Sequence, residues 1–134
     1  MDLTTLARVR AVLELAADFT QADALLTTFI TQVSAQVERY LGRYVEQKER
    51  TEQYNCELGQ QRFFLRGYPV DTTKPFEARN DAAREFTSDP VASSTYYLDA
   101  AKGALAFHFF IPVPGPGTVR IKYTGGMAAS ATAF

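Results

Sequence analysis

A change of hydrophobic rhythm near residue 45 constrains this chain more than any other feature. Upstream, apolar side chains recur every three or four positions, the signature of helices with one covered face. Leu6, Val9, Leu13 and Ala16 predict a short amphipathic helix over 4–16, ended by Asp18-Phe19-Thr20. A second helix is expected over 20–41. Thr20-x-x-Asp23 matches a capping box with Asp in place of the usual Glu, and an acid in the first turn suits the positive end of the helix dipole. Its apolar stripe is Leu26, Phe29, Ile30, Val33, Val37, Tyr40 and Leu41, and Gly42 stands where a left-handed C-terminal cap belongs.

Downstream the period drops to two, with strands expected over 51–58, 62–66, 74–78, 95–98, 104–109 and 118–123. In the last of these Val119, Ile121 and Tyr123 face one way and Thr118, Arg120 and Lys122 the other, so one face is core and the other wet. The polar turn 99–103 ends in Gly103 and predicts an antiparallel hairpin between its flanking strands. The stretch 80–94 reads as a mobile loop broken at Pro90, and the prolines and glycines of 112–117 as a stiff turn before the last strand. The expected fold class is α+β, with two N-terminal helices packed against an antiparallel β unit. It forms a single domain in which residues 1–45 are helical, residues 46–126 are β-rich and residues 127–134 are a tail.

A chain of 134 residues hides roughly two-thirds of its unfolded surface, enough for a core without staples. Basic and acidic residues number 14 and 15, for a net charge of -1. They are spread evenly along the chain, so no basic field exists to grip a phosphate backbone. Cys56 is alone, which excludes an intrachain disulfide and a cysteine metal cage and points to a reducing compartment. The start, with Asp2, lacks the basic-then-apolar pattern of a secretory signal. No stretch approaches the ~20 apolar residues that cross a bilayer. Neither export by that route nor a membrane span is expected.

Few residues offer chemistry. His108, between two phenylalanines, has no second metal ligand and no nucleophile nearby, so a structural role is expected. Cys56 has no helix start or basic neighbour to activate it and reads as an inert thiol. Asp71, Glu77, Asp81, Glu85, Asp89 and Asp99 follow no metal-binding spacing and read as solvated surface. Gly125-Gly126 lacks the Lys-Ser/Thr of a phosphate loop and reads as a turn or hinge. Phe107, Phe109 and Phe110, with Ile111, form a run too apolar to alternate. Either both its faces are covered within the chain or one meets a partner.

Several islands, in order, carry a resemblance. Asp23-Ala24-Leu25-Leu26, Ile30 and Arg39-Tyr40-Leu41-Gly42-Arg43 close the helical region, and Tyr68-Pro69-Val70 ends an extended segment. Tyr96-Tyr97-Leu98-Asp99 and Gly103-Ala104-Leu105 then lead to Val119-x-Ile121-x-Tyr123-Thr124-Gly125-Gly126. Over most of its length the chain resembles the head-tail connector, or adaptor, proteins of tailed bacteriophages and prophages. The resemblance implies a structural protein, not an enzyme, with no catalytic residue, metal or cofactor. It implies self-assembly as a dodecameric ring beneath the portal protein, and a platform for a stopper or tail-completion protein. DNA would pass through the ring without sequence-specific binding, and no membrane is involved. The implied location is the virion neck, with the host cytoplasm during assembly.

Given that resemblance, Arg39, Tyr40, Arg43, Tyr68, Pro69 and Val70 are expected near subunit or portal contacts, and Phe107, Phe109 and Phe110 are further interface candidates. The local alternative makes Tyr40 core and the two arginines cations that complement a helix C-terminus. Members of the family usually continue past the Gly-Gly segment into a further helix, whereas this sequence runs to Phe134; if that helix docks on the portal, weaker docking is implied. Two other functional classes remain open: another neck or tail-completion protein, and a small ligand-binding domain built on the aromatic run.

Overall fold

The computed structural model describes residues 2–129. Two helices, α1 (Leu6–Val12) and α2 (Asp23–Leu41), come first. Six strands follow: β1 (Lys48–Cys56), β2 (Arg62–Phe64), β3 (Glu77–Asn80), β4 (Tyr96–Asp99), β5 (Ala104–Phe107) and β6 (Gly115–Gly125). They form two three-stranded antiparallel sheets, ordered β1-β6-β3 and β2-β5-β4. The class is α+β with N-terminal helices, as the change of rhythm predicts, and β4 and β5 form the expected hairpin.

The core lies between the sheets. Phe63, Leu105 and Phe107 meet Cys56, Ala78, Val119, Ile121 and Tyr123, with Leu65 and Val70 closing the ends. Val119, Ile121 and Tyr123 are 0% exposed, so alternation assigned the face of β6 correctly. Rings of Tyr54, Phe63, Phe107 and Tyr96 follow one another edge to face at centroid distances of 5.8, 5.9 and 6.0 Å. Each fully buried side chain of this size contributes roughly 1.5–3 kcal/mol.

The differences from the sequence reading have local causes. The first helix stops at Val12 because Glu14 takes a left-handed φ of 54°. Arg10 then folds the chain back, donating to the carbonyls of Ala16 and Ala17 and gripping both carboxylate oxygens of Asp23 at 2.8 and 2.7 Å. That grip also removes the expected capping box, and α2 starts after Ala22 with no side-chain cap. Gly42, at φ 65°, does cap its other end. The third strand begins at Glu77 because Asp71 and Thr73 form a turn and Pro75 has no N–H to pair.

Thr118, expected on the wet face, is buried, its hydroxyl donating to the carbonyls of Val113 and Gly115. Gly115, Pro116 and Gly117 belong to β6 itself, not to the turn before it. The stretch expected to be mobile carries its own framework. Asp81 accepts the N–H groups of Ala83, Glu85 and Phe86, while Arg79 and Arg120 both donate to the carbonyl of buried Phe86.

The helical arm stands largely clear of the sheets. No residue of α1 is buried, and α2 buries only Ile30 and Ser34. The expected packing of helices on the β unit narrows to the root of α2, where Glu38 Oε1 accepts the N–H of Val45 at 3.0 Å. No helix among the described residues is long and apolar enough to cross a membrane.

Candidate functional site

The root of α2 gathers two of the sequence islands. Beyond the Gly42 cap, the guanidinium of Arg43 lies 3.7 Å over the ring of Tyr68 and donates to the Tyr68 carbonyl. The Tyr68-Pro69 peptide is cis, and the Pro69 carbonyl accepts the N–H of Gly126 at 3.0 Å. Val70 is buried beneath, bridged to Gly125 and donating to the Ala100 carbonyl at 2.8 Å. On the neighbouring turn, Arg50 and Arg66 lie 3.9 and 4.8 Å from the ring of Tyr44. Arg39 is exposed, and Tyr40 is 90% exposed, so the local alternative that placed Tyr40 in the core is excluded. Residues far apart in sequence thus form one basic, aromatic cluster with a free tyrosine at its edge.

The aromatic run divides. Phe107 is core, Phe110 packs half-buried with its ring centroid 5.5 Å from that of Phe107, and Phe109 is 88% exposed. Covered and open readings of this run each hold for some of its residues.

Sequence reasoning missed a second open surface, the outer face of β2-β5-β4. Register places Arg62 and Tyr97 on either side of Ala106, and Phe64 and Asp99 on either side of Ala104. Small alanines therefore floor a groove flanked by aromatic rings. The signal was present: in Phe63-Phe64 and Ala104-Leu105-Ala106-Phe107 the inward residues are large, and an outward Phe64 has no polar excuse. The outer face of β1-β6-β3 is charged instead, with Lys122 paired to Glu49 at 3.2 Å and Arg79 to Glu77 at 3.3 Å.

The titratable groups serve the fold. Burial raises the pKa of the Cys56 thiol. Hydrogen bonds from Thr73 lower that of Asp71, and backbone N–H groups, that of Phe86 foremost, lower that of Asp81. His108 is exposed beside Tyr97. Glu52 accepts from the phenols of Tyr54 and Tyr123, both pushed up chiefly by burial. Gly125 and Gly126 are points of close approach between backbones. A methyl group on Gly125 would meet the Gly67 carbonyl oxygen at 2.0 Å, and one on Gly126 the Glu46 carbonyl oxygen at 2.2 Å. Among the described residues, no group of three or more His, Cys, Asp or Glu is placed to hold a metal.

Fold and surfaces together define a small α+β module whose prominent features are exposed aromatic and charged surfaces. The chain belongs to the head completion protein family, whose model matches residues 2–133. Among solved structures it is similar to a chain of the neck of an empty GTA particle computed with C6 symmetry. The TM-score is 0.70 at 25% identity, covering 98% of this chain and 69% of that one. No curated protein matches the sequence.

Proposed function

We propose that this chain is the adaptor subunit of a head-tail neck, assembling as a dodecameric ring beneath the portal protein. The ring extends the DNA channel and offers a platform to a stopper or tail-completion protein. It carries out no reaction, and its place is the virion neck after assembly in the host cytoplasm. The observation that carries this reading is the likeness, across 98% of the chain, to a chain from the neck of a particle computed with C6 symmetry. Sixfold rotation accommodates twelve subunits, and membership of the head completion family points the same way. A net charge of -1 suits a channel that lets DNA slide.

In this reading the cluster of Arg39, Tyr40, Arg43, Tyr68 and Pro69 faces the portal or a neighbouring subunit, and Phe109 adds a second contact. Val70, Phe107 and Phe110 support those contacts from within the chain. Negative-stain electron microscopy with light scattering tests the ring, and capture by purified portal protein tests the partner. Rings and portal capture are expected, with capture lost in Arg43→Glu. Capture by a tail-side protein alone would move the chain elsewhere in the neck.

A further inference from the structure

Among the described residues, exposed apolar side chains gather on the β2-β5-β4 side and, separately in the fold, along α2. On the β2-β5-β4 face and its adjoining tip, Phe64, Tyr97, Phe109, Leu58 and Ile111 are 68, 61, 88, 89 and 67% exposed. An aromatic side chain carries roughly 150–250 Å² of area, so the three rings alone leave on the order of 400 Å² uncovered. That already equals the apolar patch of a typical monomer. On the arm, Leu25, Phe29 and Val33 form an exposed ridge along α2. Beside it, between α1 and α2, opens a largely apolar cavity of 280 Å³ lined by Leu3, Val9, Leu26 and Ile30 and by Phe29 and Val33 of the ridge.

The two surfaces match in shape. Phe64 and Tyr97 stand on strands two spacings apart, about 10 Å, over the floor of Ala104 and Ala106. Packed helices generally lie about 8–10 Å apart, so the ridge suits the alanine floor while an aromatic wall enters the groove beside it. We infer that the α2 ridge of one copy of this chain docks on the alanine-floored face of β2-β5-β4 in the next. Such a contact joins unlike surfaces, leaves the pair with one free surface of each kind, and propagates until rotation closes it. The three rings alone supply about half of the ~800 Å² per partner of a standard interface, and Leu58 and Ile111 are further exposed apolar side chains. This inference rests on the ring reading above and specifies which faces form its contacts.

Sedimentation velocity on the full chain tests it, with circular dichroism as a check on folding. Phe64→Ser and Phe29→Ser, both at exposed positions, are each expected to weaken self-association on the order of thirtyfold. Lys122→Glu, on the charged sheet face, leaves it unchanged. An equimolar mixture of Phe64→Ser and Phe29→Ser retains one intact pair of faces and is expected to form a dimer that grows no further. If both folded variants still form rings, the inference falls while the ring reading stands. It also falls if the mixture stays monomeric, if either variant alone dimerises as readily as the mixture, or if another virion protein occupies the alanine-floored face. A wild-type chain that remains monomeric on the order of 1 mM overturns this inference and counts against the ring as well.

Discussion

Tyr123 ties two distant regions of the chain through one oxygen atom. Its hydroxyl accepts the N–H of Gly67 in a buried hydrogen bond at 2.8 Å and donates to half-buried Glu52 Oε1 at 3.0 Å, with the tyrosine itself 0% exposed. Tyr123→Phe keeps the ring but leaves a buried amide without an acceptor, a loss of about 1–3 kcal/mol. The urea midpoint should fall with an unchanged slope, and an unshifted midpoint would remove Tyr123 from the stabilising groups. Gly125→Ala forces a methyl group against the Gly67 carbonyl and should cost about 1–3 kcal/mol by the same measurement. At this scale the sequence was half legible. Alternation set Tyr123 inward, but nothing marked half-buried Glu52 as its partner, because that environment comes from phenols on β1 and β6 that meet only after folding. Gly125 looked like a turn because a close approach between backbones leaves no trace in local pattern.

The turn after β3 shows how an element too short for periodicity is held. Asp81 accepts three backbone N–H groups, which hold its carboxyl below the usual range. A depressed folded-state pKa means this contribution is complete above the ordinary value of about 4 and fades as pH falls through the lowered one. Acidification below about pH 4 should therefore free the turn, and Asp81→Ala should free it at neutral pH. Amide NMR shifts of Glu85 and Phe86 report this. Shifts that stay put down to about pH 2 in the wild-type chain would contradict it. Strand existence was readable here and strand limits were not: Pro75 and the Asp71 turn displaced the start of β3, and hydrogen bonds of Thr118 and Asn80 to Val113 drew the proline-rich stretch inward. The path of the chain after α1 depended on Arg10 reaching ahead to Asp23, a contact that periodicity does not report.

For the molecule as a whole, the uneven burial of arm and β unit predicts uneven stability. Amides of α1 and α2 should exchange with solvent well before those of β6, since the arm has few buried contacts and opens locally. Assembly should then slow exchange in α2 more than in β6. Equal protection of α2 and β6 in the isolated subunit would show the arm to be supported from within. The sequence revealed the apolar stripe of α2 but not its fate, because periodicity states which side of a helix avoids water and is silent on whose surface covers it. One further consequence follows from the bridge between Glu46 and Ala128, reinforced by Gln47 donating to the Ala128 carbonyl and Met127 to that of Val45. The entrance and exit of the β unit lie side by side, so it can be spliced into the loop of an unrelated host as a cassette without stretching either partner.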